Sequence, residues 1–218
     1  GMNHVRVWNS LGCLAAVCDA DGEKLKSIQK DFPQVKTFTQ FNSILDRKDI
    51  SGIVIAAPAV LHADLTLRAL KAGKDVLVEK PMALTSRECQ KMLAAAKKTK
   101  RILMVGHVLE YHPAVVKLKE MLQKNELGKI QYIYSHRLNF GKIRTEENAL
   151  WSFAPHDIAL LVRLMKSLPS SVACSGSACL NPKVADNTVT VLNFANGIQA
   201  HIFVSWLHPF KIQRLVIV

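Results

Sequence analysis

The first half of the chain alternates short apolar runs with amphipathic segments, and this pattern predicts its secondary structure. The predicted strands lie at residues 14–19, 35–38, 52–58, 76–78 and 102–106. The predicted helices lie at residues 1–11, 21–31, 41–45, 61–71 and 86–98. Because the strands are apolar throughout, we expect a parallel sheet with helices on both faces. This is the doubly wound α/β fold of dinucleotide-binding (Rossmann) domains.

The pattern changes near residue 107, which indicates a second domain of another kind. Residues 110–123 predict a helix, and a second helix is predicted to begin at Pro155 and run to residue 165. Residues 129–140 alternate in polarity with the period of two that is typical of a half-buried strand.

Further strands are predicted at residues 170–180, 187–194, 198–205 and 211–218. Asn196-Gly197 is a strong hairpin signal between the second and third of these. Consecutive strands with short turns predict an α/β domain with an open, mostly antiparallel sheet. The expected domains are residues 1–107 and 108–218.

Both ends of the sequence are expected to be truncated. A doubly wound domain starts with a strand that leads through a glycine-rich turn into a helix. Here the helix comes first, with only Gly1 before it, and residues 215–218 stop in the middle of a strand. We therefore expect an incomplete Rossmann domain that lacks its first strand, and a second domain that lacks its C-terminus.

Composition and charge exclude some classes of protein. The 218 residues are 49% hydrophobic and 21% charged, no apolar run is long enough to span a membrane, and the five cysteines contain no Cys-x-x-Cys pair. These features favour a cytoplasmic protein with reduced cysteines and no membrane partner. The net charge of +12 invites a nucleic-acid interpretation, but the basic residues are scattered. Attraction of a polyanionic small molecule such as a nucleotide is the better use of this charge.

The sequence Glu79-Lys80-Pro81 follows the predicted strand 76–78 directly. The carboxyl ends of the strands form the edge where open α/β sheets bind ligands. A lysine between a strand end and a proline is held more rigidly than most, which suits an amine that meets a substrate. The alternative is a surface loop with an ordinary solvated lysine.

Other polar residues follow neighbouring strands at the same predicted edge: Asp19, Pro58, His62 and His107. An acid at the position of Asp19 accepts hydrogen bonds from the adenosine ribose of NAD and repels the phosphate of NADP, so NAD is favoured. The alternative for Asp19 is a helix-capping carboxylate beside Asp21. Each histidine alone is more often structural than a ligand, but their convergence favours a binding site.

Two runs in the second half carry candidate chemistry. If a helix begins at Pro155, then His156 and Asp157 lie in its first turn, where a histidine can face a ligand and titrate near neutral pH. The alternative is a pair of helix-capping residues. Arg137 and Asn139 share one face of the strand 129–140, and the Arg137 guanidinium fits a carboxylate or phosphate. The alternative is a charged solvent-exposed face.

Together these motifs resemble the glucose-fructose oxidoreductase / inositol dehydrogenase / MocA-like family. The matching segments are Glu79-Lys80-Pro81, Ala57-Pro58-x-x-x-His62, Gly106-His107, Tyr111-His112-Pro113, Leu127-Gly128-Lys129-Ile130 and Ala154-Pro155-His156-Asp157. They span nearly the whole chain. The run 137–157 is most similar to the nucleotide-sugar branch, which includes 3-dehydrogenases of uronic acids derived from UDP-N-acetylglucosamine.

The resemblance implies NAD(P)-dependent oxidation of a sugar hydroxyl, and it implies a role for each matched residue. Lys80 would hydrogen-bond the reacting hydroxyl, and His156 would be the general base or its partner. The residues implied at the cofactor are Gly1, Asn3 and His4 just past the pyrophosphate turn, Asp19 at the ribose, and Pro58, His62, Glu79, Lys80 and His107 along the cleft. The residues implied at the sugar nucleotide are Lys80, Arg137, Asn139 and His156. No metal is implied, and a homo-oligomer (a dimer or tetramer) is expected.

The sequence departs from the family pattern at two places. The glycine-rich turn is absent except for Gly1, and Ser152 occupies the position where many relatives carry an acid, four residues before His156. A serine cannot stabilise an imidazolium as a carboxylate does. The alternative function is therefore a catalytically weak or inactive family member that binds cofactor or sugar.

Overall fold

The alternating elements predicted for the first half are present in the structure, a computed structural model that describes residues 1–141, 143–145 and 147–218. The chain divides into two units, Gly1–Gly106 and His107–Val218. The helices of the first unit are α1 (Met2–Ser10), α2 (Gly22–Asp31), α3 (Asn42–Leu45), α4 (Ala59–Lys71) and α5 (Ser86–Thr99). Its strands are β1 (Ala16–Cys18), β2 (Lys36–Phe38), β3 (Gly52–Ile55), β4 (Asp75–Val78) and β5 (Leu103–Val105).

All strand pairs of the first unit are parallel. Strands β1 and β2 form one sheet, and β3, β4 and β5 form another with β4 in the centre. Ile55 pairs with Val78, and Val78 pairs with Val105, so the three strands end at the same level. Helices α4 and α5 bury Ala69, Leu70 and Met92 against this sheet. The predicted Rossmann-type fold class is confirmed.

Local signals in the sequence set the ends of these helices. Asp21 accepts hydrogen bonds from the backbone N–H groups of Glu23 and Lys24 and so begins α2. Thr85 begins α5 with a capping box, in which its side chain accepts from the Glu88 N–H and the Glu88 carboxylate accepts from the Thr85 N–H. The box starts α5 four residues after Pro81, and thereby fixes the far end of the Glu79-Lys80-Pro81 loop.

The second unit combines two α-helices with one five-stranded sheet in the described residues. A 3₁₀ turn (Val108–Tyr111) precedes α6 (Pro113–Gln123), and the second helix is α7 (Ala149–Met165). The strands are β6 (Tyr132–Phe140), β7 (Ser171–Ser177), β8 (Asn187–Asn193), β9 (Gln199–Ser205) and β10 (Leu207–Ile217), in the order β10-β6-β9-β8-β7. Only the β6–β9 pair is parallel among these, so the predicted open, mostly antiparallel sheet is confirmed.

Helix α7 packs on one face of the sheet, while aromatic side chains cover part of the other. Ala149, Ala154 and Leu161 of α7 join the buried cluster that contains Ile133 and Trp206. The rings of Tyr132, Tyr134, His136 and Phe203 follow one another across the opposite face, with centroids 5.3 to 6.5 Å apart.

Two predicted helix starts are wrong. The helix predicted from residue 110 begins at Pro113, because the His112 ring accepts the Ala114 N–H and proline fits the first helical position. The helix predicted from Pro155 begins at Ala149, where the Asn148 side chain accepts the Trp151 N–H.

Pro155 therefore lies inside α7, although a proline cannot donate the hydrogen bond expected there. Ala149 and Ala154 before the proline and Leu161 after it are all fully buried in one apolar cluster, so packing on both sides of Pro155 favours a continuous helix. As a result His156 and Asp157 do not lie in a first turn, and the alternative of a capping pair is also wrong.

No helix within residues 1–141, 143–145 and 147–218 has the length and apolar character needed to cross a membrane.

The capping box of α5 gives a prediction for stability. We expect Thr85→Ala to lower the free energy of unfolding by about 1 kcal/mol. The substitution removes both bonds of the Thr85 hydroxyl, which accepts from the Glu88 N–H and donates to the Glu88 carboxylate. The measurement is urea denaturation followed by circular dichroism.

Thr99→Ala is the matched control on the same helix. The Thr99 hydroxyl donates only to carbonyls within α5, Ala95 and Ala96. Such bonds add little to helix stability, so a change below about 0.5 kcal/mol is expected. Equal losses in the two variants would contradict the assignment of Thr85 as the cap.

Candidate active site

The Glu79-Lys80-Pro81 segment begins where the central strand β4 ends. The Glu79 N–H donates to the Ile55 carbonyl at 2.8 Å, so the backbone is still part of the sheet at this residue. The peptide bond between Lys80 and Pro81 is cis. The segment thus leaves the sheet at its carboxyl edge, where the sequence predicted it.

The Glu79 carboxylate is hydrogen-bonded to two neighbours and lies close to a third, Gly106. The His4 Nε2 atom lies 2.6 Å from Oε1, and the Lys80 N–H donates to Oε2 at 3.2 Å. A Cβ atom on Gly106 would lie 3.1 to 3.2 Å from this carboxylate, so the missing side chain of Gly106 leaves room for it. Glu79 therefore joins the first turn of α1 to the end of β4.

The pKa of Glu79 lies below its ordinary value. Burial raises the pKa, but the hydrogen bonds from His4 and from the Lys80 N–H, together with the charges of His4 and Lys80, lower it by more. The side chain is therefore a carboxylate at neutral pH, and it contributes negative charge beside Lys80.

Asp19 follows β1 and is anchored by its backbone. Its N–H donates to the Phe38 carbonyl at 3.2 Å, and its Oδ1 accepts the Asp21 N–H at 2.9 Å. Asp21 rather than Asp19 caps α2, so Asp19 is not the helix-capping residue that the alternative proposed. The Lys24 Nζ atom is 3.8 Å from Oδ1, and the side chain keeps 39% of its surface exposed. Asp19 can therefore still accept hydrogen bonds from a ligand.

Pro58 precedes α4 as its N-cap residue, and His62 lies in the first turn and a half of this helix. The His62 side chain is buried, with 1% exposure. Its Nδ1 atom lies 2.8 Å from the Pro81 carbonyl, and its Nε2 atom lies 2.9 Å from the Ala57 carbonyl. The structure thus places His62 in the interior, between the loops that follow β3 and β4.

Gly1 and Asn3 lie at the start of α1, and both are exposed. Gly1 is the N-cap residue, and its carbonyl accepts the Val5 N–H at 3.2 Å.

In the second unit the structure brings His107 and His156 together. Their ring centroids are 6.1 Å apart and their planes are nearly perpendicular, at 82°. His107 precedes the 3₁₀ turn, and His156 lies in the middle of α7. The two histidines were predicted from separate motifs, and only the fold of this unit shows that they are neighbours.

Arg137 makes a buried ion pair with Asp157. Its Nε donates to Oδ2 at 2.7 Å and its Nη2 donates to Oδ1 at 3.0 Å, while the Ser135 hydroxyl donates to Oδ1 at 2.8 Å. The two charged side chains are only 14% and 5% exposed. The guanidinium fork that was predicted to face a sugar nucleotide is therefore occupied by a carboxylate of the same unit.

Asn139 and Ser152 lie between the two members of this ion pair in the sequence. Asn139 Oδ1 is buried with no hydrogen-bond partner among the described residues, and it lies 2.9 Å from where a Cβ of Gly141 would be. Ser152 is buried, with 4% exposure, one helical turn before His156.

Sequence reasoning also missed the contact of His4 with Glu79 and that of Ser135 with Asp157. A signal for the second existed, since Ser135 and Arg137 share a strand face by their spacing of two. The first joins residues 75 positions apart, and no local pattern encodes it. Within the described parts of the chain, no group of three or more His, Cys, Asp or Glu residues could hold a metal ion.

Comparison with known families assigns both halves. Residues 1–107 match the model of the oxidoreductase family with an NAD-binding Rossmann fold, and residues 115–218 match the GFO/IDH/MocA C-terminal domain. The chain belongs to the Gfo/Idh/MocA family of oxidoreductases.

Individual relatives share no more than about a third of their aligned residues with this chain. A dehydrogenase from Comamonas testosteroni, named for 1-carboxy-3-chloro-3,4-dihydroxycyclohexa-1,5-diene, is 34% identical over 56% of this chain and 31% of its own length. UDP-N-acetylglucosamine 3-dehydrogenase from Acidithiobacillus ferrooxidans is 24% identical over 94% of this chain and 63% of its own length. The chain thus spans less than two thirds of these relatives.

The solved structure of myo-inositol 2-dehydrogenase from Lactobacillus plantarum superposes with a TM-score of 0.86, covering 94% of this chain and 66% of that chain. At 21% identity this likeness concerns the fold alone.

The Arg137–Asp157 pair gives a prediction for stability. We expect Arg137→Met or Asp157→Leu alone to lower the free energy of unfolding by about 3 to 5 kcal/mol, because each leaves a buried charge without its partner. The double variant should recover most of this loss, since apolar replacement of a whole buried pair is often close to neutral. The measurement is a double-mutant cycle from denaturant unfolding. Strictly additive losses would show that the two side chains do not stabilise each other.

Proposed function

We propose that this chain is part of an NAD-dependent dehydrogenase that oxidises a hydroxyl of a sugar or nucleotide sugar. One observation carries the proposal: in a member of this family, Lys80 emerges at the carboxyl edge of a parallel sheet beside a carboxylate that is hydrogen-bonded to His4 and to the Lys80 N–H. In this proposal residues 1–107 bind the cofactor, and residues 108–218 bind the substrate and form oligomer contacts.

The residues present fit a nicotinamide cofactor. Asp19 offers a partly exposed carboxylate just past β1, where a ribose is held in such folds. The N-terminus of α1, with Gly1, Asn3 and His4, is suited to the pyrophosphate. Pro58, Glu79, Lys80 and His107 follow the ends of the next strands. When bound, the cofactor accepts the hydride from the carbinol carbon of the substrate.

In this proposal, side chains of the protein accept the proton of the substrate hydroxyl and stabilise the charge that its loss creates. The Lys80 ammonium donates a hydrogen bond to the reacting hydroxyl and stabilises the negative charge that develops on its oxygen. A ring nitrogen of His156 acts as the general base for the hydroxyl proton, or as partner to that base. The Glu79 carboxylate keeps the Lys80 backbone in place through the hydrogen bond from its N–H.

The proposed substrate class is a nucleotide sugar related to UDP-N-acetylglucosamine uronic acids. The likeness to UDP-N-acetylglucosamine 3-dehydrogenase over 94% of the chain and the net charge of +12 support this choice. Asn139 is the better candidate for a direct contact with the sugar nucleotide, because the Arg137 guanidinium already binds Asp157. The contribution of Arg137 is then indirect, through the position of α7.

We propose a homo-oligomer because the sheet face of the second unit that lies opposite α7 carries aromatic side chains that are partly exposed. Tyr132 on this face is 43% exposed. A second copy of the chain would bury this surface.

A second candidate function is a binding protein with weak or no catalysis. The observation that favours it is Ser152, where many relatives carry an acid. Binding of NAD without turnover by the intact protein, unchanged in Ser152→Asp, would support this candidate.

Replacement of Lys80 tests the catalytic proposal. We expect Lys80→Ala to reduce turnover by at least about a hundredfold, because the group that stabilises the developing alkoxide is lost. Binding of NAD, measured by fluorescence titration, should change by less than about threefold. Turnover is followed as formation of reduced nicotinamide over a panel of UDP-sugars, using the intact protein.

Lys91→Ala is the control, because it removes the same charge from an exposed position of α5. It should leave turnover unchanged. Comparable turnover in Lys80→Ala and wild type would refute the role of Lys80.

Asp19 provides a prediction for cofactor choice. We expect the wild type to prefer NAD, and Asp19→Ala to shift the ratio of kcat/KM for NAD over NADP by about tenfold or more towards NADP, because repulsion of the ribose phosphate is removed. Asp31→Ala, an equal charge change at the exposed end of α2, should leave the ratio unchanged. An unchanged ratio in Asp19→Ala would place the ribose elsewhere.

A further inference from the structure

The buried ring of His62 joins two loops at the carboxyl edge of the first unit. Its two nitrogen atoms lie 2.8 Å from the Pro81 carbonyl and 2.9 Å from the Ala57 carbonyl. A carbonyl oxygen can only accept a hydrogen bond, and a neutral imidazole carries one N–H while a protonated one carries two. The ring therefore donates to at least one of these two carbonyls in either protonation state.

Both ring nitrogens are turned to the main chain, and the side chain has 1% exposure. Neither nitrogen is directed at a bound ligand in this arrangement. His62 therefore fits a role in holding other residues rather than one in contact with the cofactor.

The two carbonyls belong to the loops that carry the candidate site. Ala57 precedes Pro58 in the loop from β3 into α4, and Pro81 follows Lys80 in the loop after β4. Strands β3 and β4 are paired as far as Ile55 and Val78, and the Glu79 N–H adds a bond to the Ile55 carbonyl. Beyond that bond the two loops are no longer paired with each other, and the ring of His62 connects them.

We propose that His62 is a positioning residue for Lys80: it fixes the Pro81 carbonyl, and with it the backbone on the C-terminal side of Lys80, to the loop that begins α4. On the N-terminal side, the Lys80 N–H is already fixed by Glu79. The lysine is then held from both sides, so that the ammonium group has few orientations available. This inference rests on the proposed role of Lys80, but its main test does not depend on turnover.

The test uses the intact protein without cofactor and follows amide hydrogen exchange by mass spectrometry. In His62→Ala, we expect peptides that cover residues 56–60 and 78–84 to exchange at least about tenfold faster, while peptides from α5 stay as in the wild type. In His62→Gln, whose amide can still donate to a carbonyl, exchange in both segments should lie between that of His62→Ala and that of the wild type.

Thr66→Val is the matched control. Thr66 lies one turn further along α4, is fully buried, and its hydroxyl has no hydrogen-bond partner among the described residues. The substitution keeps the shape of the side chain and should leave exchange in both loops unchanged. If His62→Ala does not fold, the comparison of His62→Gln with Thr66→Val decides the question.

Kinetics add a second readout that a purely structural role would not affect. Positioning predicts that kcat in His62→Gln falls by about tenfold or more while the Kd for NAD changes by less than about threefold. Exchange that stays at the wild-type level in both loops, or that rises evenly through the whole unit, overturns the proposal. If no sugar is oxidised by the wild type, the proposed function fails, and the exchange experiment still decides whether His62 holds the loop.

Discussion

The common end of strands β3, β4 and β5 is the constraint on which the candidate site of the first unit depends. Ile55, Val78 and Val105 are in register, so each chain leaves the sheet at the same level. That register is fixed by burial, because Val78 is fully buried and Ile55 nearly so. A slip of one residue would turn Val78 out of the core and Lys80 to the opposite face. The position of Lys80, the proposed catalytic residue, is thus set by apolar packing of the strands that precede it.

Carboxylates support the candidate residues in both units. Glu79 accepts hydrogen bonds from His4 and the Lys80 N–H, and Asp157 accepts from Ser135 and Arg137. A buried carboxylate is costly unless it is paired and hydrogen-bonded, and both are. The hydrogen bonds that each carboxylate accepts come from residues of its own unit. In the proposed mechanism the proton is therefore transferred by Lys80 and His156 rather than by either acid.

The sequence was a good guide to structure wherever one local signal dominated. Buried strands and the Asn196-Gly197 hairpin are set by nearby residues, and the structure confirms them. The start of α7 was missed because proline favours a first helical turn, whereas tertiary packing of Ala149 and Ala154 extends the helix past it. The pairing of Arg137 with Asp157 was missed because the two residues are 20 positions apart and only the fold brings them together.

Asp157 follows His156 directly in the chain, yet it does not replace the acid that many relatives carry at the position of Ser152. Its two oxygens accept three hydrogen bonds from β6, out of about four that a carboxylate can accept. An acid at position 152 would lie one turn before His156, but among the buried residues of α7, where a carboxylate is poorly solvated. Serine at this position avoids that cost within the buried part of α7.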